Sequence, residues 1–312
     1  MSEAHSADFQ ESEDTTDFQI VIPARNEEAN IESLLTEIQH IYPDANILVV
    51  DDASTDSTRQ ICLALGAKVI SHSYQKGNGA AIKTGIRASN ARTLVFMDGD
   101  GQHNPSLIPE LLNATRKGSH MAIGARTPSS HASVMRRFAN KTYNALASLA
   151  TGIPIPDLTS GYRAVRTDAA RQFIHLLPNG FSYPTTITMA FIRSGYTVSF
   201  HPTISRSRKG KSHIHPLKDG FRFVLIIFKI GTLYSPLKLF VPLSITFFSL
   251  GLIHYAHTFI TKGQFTNMSA LLFTTSILIF LIGLVSEQIT SLIFSSSEKN
   301  QLEQNQESEP NE

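Results

Sequence analysis

A chain of 312 residues is long enough for one sizeable α/β domain plus an appendage. Its formal net charge of +1 singles out no partner, and no nucleic-acid partner is expected. The lone cysteine, Cys62, excludes an intramolecular disulfide, and its place in an apolar helical pattern predicts a core thiol.

Residues 1–17 hold six acids and no Lys or Arg, which predicts a solvated, disordered tail. Neither a positive flank nor an apolar run marks a signal peptide there. Apolar runs then alternate with helical patterns. "FQIVIP" (18–23) is followed by a helix over 27–41, with Ile31, Leu34, Leu35 and Ile38 on one face. "NILVVD" (46–51) precedes a helix from about residue 56, for which Asp56 is the expected N-cap. "AKVIS" (67–71), a helix from about 78, "RTLVFMD" (92–98), a helix near 106–116 and "HMAIGA" (120–125) complete the series. Strands that are apolar throughout and separated by helices predict a mainly parallel sheet with helices on both faces.

In such sheets ligands bind beyond the carboxyl ends of the strands. Pro23, Arg25, Asn26 and Glu27 follow the first strand, Asp51 and Asp52 end the second, Asp98, Asp100 and Gln102 follow the fourth, and Arg126 follows the fifth. Two carboxylates and an amide oxygen at every second residue are hard ligands, suited to Mg²⁺ or Mn²⁺ rather than zinc. His103 has no partner at metal-ligand spacing and is expected beside that site, not in it. "KGNGAAIKTG" (76–85) is neither a dinucleotide fingerprint nor a Walker A loop. It reads either as a glycine turn opening a helix, or as backbone N–H groups facing phosphate or sugar. Asp157, in a Pro-rich turn before "SGYR" (160–163), is read as a structural hydrogen-bonding group rather than a base, and Arg163 as a partner for a carboxylate or a phosphate.

The last third differs in kind. Leu239–Thr261 and Gly263–Ser286 contain no Asp, Glu, Lys or Arg. Each exceeds the roughly 20 residues that cross the hydrocarbon core, so a transmembrane helical hairpin is predicted within 236–295. Arg206, Arg208, Lys209, Lys211, Lys218, Arg222, Lys229 and Lys238 precede the first span, and the connection holds only Lys262. This asymmetry predicts that the soluble domain and both termini are cytoplasmic. Glu287 is expected near the cytoplasmic end of the second span. Residues 216–235 scatter cations through apolar sequence and read as an interfacial amphipathic segment on an anionic membrane. Residues 296–312 read as a second disordered acidic tail.

The ordered series "IPARNEE", "VVDDASTDST", "KGNGAAIKTG", "MDGDGQH", "IGAR", "DLTSGYRAVR" and "RKGKSHI" resembles the polyprenyl-phosphate branch of the family 2 glycosyltransferases. Dolichyl-phosphate mannose synthases and undecaprenyl-phosphate glycosyltransferases belong to that branch. The resemblance implies a GT-A fold over 18–215 and an inverting transfer from a UDP- or GDP-sugar to a polyprenyl phosphate. It further implies that Pro23 and Glu27 line the nucleotide pocket, that Asp52 binds base or ribose, and that Asp98, Asp100 and Gln102 hold the metal. Arg126 and one of Arg136 or Arg137 would contact phosphates. Arg208 would come from a basic loop, with Arg206 and Lys209 as rivals, and Arg25 stands where relatives often carry tyrosine. A rival enzyme reading is transfer to a polysaccharide or protein, and a non-enzymatic one is a nucleotide-sugar-binding scaffold. The sequence leaves homo-oligomerisation open.

The chemistry points the same way. A divalent ion and arginines would stabilise the charge that grows on a departing nucleoside diphosphate. A phosphate monoester, with a second pKa near 6, arrives ionised and needs cations to guide it rather than a base.

Overall fold

The computed structural model describes residues 17–127, 134–180, 182–204, 206, 232 and 236–307; for 134–139 and 293–307 only the backbone is described. Seven strands, β1 (Phe18–Ala24), β2 (Asn46–Asp51), β3 (Lys68–Ser71), β4 (Thr93–Phe96), β5 (Met121–Arg126), β6 (Arg163–Arg166) and β7 (Val198–Thr203), form one sheet in the order β3-β2-β1-β4-β6-β5-β7. Only β6 is antiparallel, to both β4 and β5. It therefore starts where those two strands end, with Arg163 opposite Phe96 and Ile123.

Side chains of β1 and β2 alternate between two cores, as a pleated strand covered on both faces requires. Val21, Leu48, Val50, Leu94 and Phe96 pack against α3 (Asn78–Ala88), α5 (Val134–Thr151), α6 (Thr167–Gln172) and α7 (Tyr183–Arg193). Ile20, Ile22, Ile47, Val49 and Val95 pack against α1 (Glu28–Ile41), α2 (Thr58–Ala64) and α4 (Ile108–Arg116). Cys62 lies in this second core, and burial pushes its thiol up to about 11. Pro23 sits in a central strand, yet β4 ends opposite Val21, so Pro23 stands past the end of that ladder.

α2 starts at Thr58, not at 56. Asp56 still serves that end: Oδ1 accepts from Thr58 N (3.0 Å) and Thr58 Oγ1 (2.6 Å). The glycine motif resolves toward packing. A methyl on Gly79 would stand 2.0 Å from the Pro178 carbonyl oxygen, and one on Gly77 2.5 Å from that of Asn179. Ala80 N donates to the same Asn179 oxygen (3.0 Å), so the loop 178–180, not a phosphate, covers this helix end.

Two long helices follow, α8 (Pro236–Lys262) and α9 (Asn267–Glu307), each with a stretch long and apolar enough to cross a membrane. They pack as a hairpin through small residues. Ser244 and Ser276 each donate to the other's carbonyl (2.9 Å), and Gly251 and Gly283 admit Phe273 and Phe240. The helix runs past residue 296, where a tail is expected from the sequence, to Glu307. Glu287 joins the hairpin to the first domain, 3.5 Å from Arg193 of α7 and accepting from Leu237 N at 3.4 Å. Lys238 Nζ donates to the carbonyl of Ala150 (2.8 Å) and that of Leu149 (3.4 Å), at the negative end of α5. The segment 216–235 lies outside the described residues except for Thr232.

Candidate active site at the carboxyl ends of the strands

The turns after β1 and β2 interlock. Asn26 N donates to Ser54 Oγ (3.0 Å), Thr55 N to Asn26 Oδ1 (2.8 Å), Glu27 N to Thr58 Oγ1 (2.8 Å) and Ser57 N to Glu28 Oε2 (3.0 Å). Two non-glycine residues in the left-handed region, Asn26 (φ 52°) and Ala53 (φ 59°), make this possible. Such strain persists where the surroundings over-determine it, typically at functional sites.

Asp52 N is tied to Ala24 O (2.9 Å), and its carboxylate is buried. Oδ1 faces His72 Nδ1 (2.8 Å) and accepts from Lys76 N (2.8 Å); Oδ2 accepts from Gly77 N (2.8 Å). His72 in turn faces Thr84 Oγ1 at 2.9 Å. Burial would raise the Asp52 pKa, but His72 and the two N–H groups more than offset this and hold it below the usual carboxylate range. Asp52 thus anchors the 72–77 turn. His72 was missed by sequence reasoning. It stands at the end of β3, the strand end to which the strand-end rule was not applied.

Asp98, Asp100 and Gln102 follow β4 on a loop pressed between its neighbours. At Gly99 a methyl would meet Pro23 O at 3.4 Å and Glu27 Cγ at 3.6 Å; at Gly161 one would meet Asp98 Oδ2 at 3.0 Å. Pro23, Glu27, Asp98 and the 160–163 turn therefore converge. Gln102 N donates to Asp100 Oδ1 (3.1 Å), and Asp98 N to His103 Nδ1 (3.1 Å). His103 is buried, stacked on Tyr162 at 4.8 Å, with Nε2 3.7 Å from Asp98 Oδ2. Burial lowers its pKa despite Asp98 and Asp100. No group of three or more His, Cys, Asp or Glu side chains with metal-holding geometry occurs among the described residues. The candidate is two carboxylates and an amide, a donor set that fits Mg²⁺ or Mn²⁺, which take one or two carboxylates and complete their shell with water and substrate phosphates.

Arg126, expected on phosphate, is engaged by protein. Nε and Nη2 donate to the two Asp157 oxygens (2.7 and 3.0 Å), Nη2 also to Thr159 Oγ1, and Arg126 N to Asp157 Oδ2 (3.1 Å). Burial pushes Asp157 up, but these bonds and the charge of Arg126 hold it below the usual range. Among the described residues Arg163 pairs with no carboxylate. It is fully buried and donates to Pro184 O (3.1 Å), Thr188 Oγ1 (3.0 Å) and Ser160 O, while its Nε has no hydrogen-bond partner among the described residues. Arg206, a rival for phosphate, pairs with Glu37 (2.6 and 2.8 Å) and Asn104 Oδ1 (3.0 Å), and its N–H donates to Gln102 O (3.0 Å). Arg208 and Lys209 lie outside the described residues, as do the side chains of Arg136 and Arg137.

The profile of glycosyl transferase family 2 matches residues 19–174. The chain belongs to this family. A second profile, the GtrB C-terminal hairpin, matches residues 235–292, the span of α8 and most of α9. The chain is 31% identical over 194 residues to a polyprenol monophosphomannose synthase of Mycolicibacterium smegmatis, covering 57% of this chain and 73% of that one. It is 30% identical to an undecaprenyl-phosphate mannosyltransferase of Micrococcus luteus, covering 56% and 77%. Among solved structures, glucosyl-3-phosphoglycerate synthase of Mycobacterium tuberculosis, in complex with Mn²⁺ and UDP-glucose, superposes with a TM-score of 0.56. At 22% identity, covering 69% of this chain and 78% of that one, it establishes the GT-A-like fold alone. The family 2 glycosyltransferase is thus an enzyme carrying a C-terminal apolar hairpin.

Proposed function

We propose that this enzyme transfers a hexose from a nucleoside-diphosphate sugar to a polyprenyl phosphate at the cytoplasmic face of a membrane, with inversion. The observation that carries the reading is the Arg126–Asp157 pair. The carboxylate of the 157–163 turn is held ionised and hydrogen-bonded to the arginine, which makes it a poor base. An acceptor that needs no base fits such a site. The relatives from M. smegmatis and M. luteus are named for polyprenol and undecaprenyl-phosphate chemistry, and an apolar hairpin would keep the enzyme at the membrane where such a lipid resides.

In this reading Pro23, Glu27 and Asp52 line the nucleotide pocket, Asp52 fixed by His72 and the 76–77 N–H groups. Asp98, Asp100 and Gln102 would hold a divalent ion, which stabilises negative charge on the departing diphosphate. Arg126 stays paired with Asp157. Arg208, with Arg136 or Arg137, guides the acceptor phosphate. An acceptor phosphate oxygen bonds to the anomeric carbon as the bond to the diphosphate breaks on the opposite side, and no proton moves. Seven cations before α8 and Lys238 in its first turn, against Lys262 alone at its far end, support a cytoplasmic catalytic domain with both termini on the same side.

The test presents the enzyme in vesicles with labelled UDP- and GDP-sugars and either polyprenyl phosphate or neutral polyprenol. Label is expected in the lipid extract with the phosphate alone. Transfer to the neutral alcohol, or to polysaccharide or protein without lipid product, overturns the reading.

A further inference from the structure

Between Lys141 and Asp157 the chain carries no charged residue: "TYNALASLATGIPIP". This stretch forms the end of α5 and the turn after it. Part of it is core, through Ala147 and Ile155, but Leu149 is 65% exposed and Ile153 38% exposed, with Gly152 and Pro154 exposed beside them. An uncharged, exposed apolar tip on a catalytic domain marks an interaction surface when it adjoins another apolar body. It does so here. Lys238, the third residue of α8, donates to the carbonyls of Leu149 and Ala150. The tip is therefore fixed beside the first turn of a helix that is itself long enough to cross a bilayer.

The length of that helix sets the depth. α8 has 27 residues, about 40 Å at 1.5 Å per residue. The hydrocarbon core spans about 30 Å. About a turn at each end thus stands in the headgroup region, and Lys238 lies in such a turn. The exposed apolar side chains next to it lie at the same level. We propose that Leu149 and Ile153 form a second membrane contact, by which the tip of α5 rests in the headgroup–acyl boundary of the bilayer that the hairpin crosses. The proposal rests on the hairpin spanning a bilayer, and not on the reaction proposed above.

The chain contains no tryptophan, so a single introduced indole reports its own surroundings. Three full-length variants are reconstituted into vesicles of phosphatidylcholine and phosphatidylglycerol. They are Leu149→Trp, Leu252→Trp in mid-α8, and Leu63→Trp on α2 across the sheet, all at exposed positions that tolerate a larger side chain. Lipids brominated near the carbonyl end of the acyl chain are expected to quench Leu149→Trp, with a blue-shifted emission. Lipids brominated deep in the chain should quench Leu252→Trp more strongly, and neither should quench Leu63→Trp. Leu149→Trp behaving like Leu63→Trp, while Leu252→Trp is quenched, overturns the second contact and leaves the hairpin in the membrane. Quenching of neither Leu149→Trp nor Leu252→Trp overturns both.

Discussion

Gly79→Ala separates packing from ligand binding in the glycine motif. The new methyl would stand 2.0 Å from Pro178 O, 2.9 Å from Gly180 O and 3.2 Å from Asn179 C. All three are backbone atoms, and the loop they belong to is held by the Ala80–Asn179 hydrogen bond and by Lys83 Nζ on Leu177 O (3.1 Å). Overpacking of this kind costs about 1–3 kcal/mol, and immobile neighbours put it at the upper end. Alanine returns about 1 kcal/mol of helix propensity. A net loss of about 2 kcal/mol remains, or about 4–8 °C in the midpoint of a domain this size. Near-UV circular dichroism of the detergent-solubilised protein reads that midpoint. Nucleotide binding, titrated well below it, should be close to normal. An unchanged midpoint with lost nucleotide binding would refute the packing argument and restore the phosphate cradle.

Asp100→Ala should lower metal-dependent transfer by about 10²–10³-fold with the fold intact by circular dichroism; full activity in Mg²⁺ or Mn²⁺ removes the site assignment. Ala53→Gly relieves a left-handed alanine (φ 59°), about 1–2 kcal/mol, against about 0.5–1 kcal/mol for greater unfolded freedom. The denaturant midpoint should therefore hold or rise, and a clear fall contradicts the strain. Asp157 has a depressed pKa, so the stability it contributes is complete above the unfolded value near 3.9 and is lost only as pH falls through the lower folded value. Asp157 then contributes nothing to an inflection of turnover near pH 6, where the acceptor phosphate titrates, and Asp157→Asn should leave it in place. Reporters fused after residue 312 and inserted at Gly263 should lie on opposite sides of the membrane.

The parallel half of the sheet was legible because β1, β2 and β4 each hold a run of three or more consecutive apolar residues. β6 was not: four residues, "RAVR", with an arginine at each end give no periodic signal. Their assignment depends on pairing with β4 and β5, which is a tertiary fact. The placement of Pro23, Asp52, Asp98 and Arg126 at strand ends was legible, since chain order puts each where an apolar run stops. Side-chain pairing was not. No spacing announces that Arg126 meets a carboxylate 31 residues on, or that Arg206 reaches Glu37 across 169 residues. Arg163 shows the limit most plainly, because an arginine in a polar turn carries no sign that it is fully buried.

Arg206 divides the chain by purpose. It carries the first charge of the basic run, yet its guanidinium is held by Glu37 and Asn104, and its N–H by the carbonyl of Gln102. The stretch that follows starts from a point pinned to the loop of Asp98, Asp100 and Gln102. In the proposed reaction, substitutions from 207 onward would retune which acceptor is met without displacing that loop, whereas a change at Arg206, Glu37 or Asn104 would disturb donor side and acceptor side together. On the proposed function the molecule would be modular at this joint: one half free to drift with the lipid a cell supplies, the other constrained by the chemistry common to every donor.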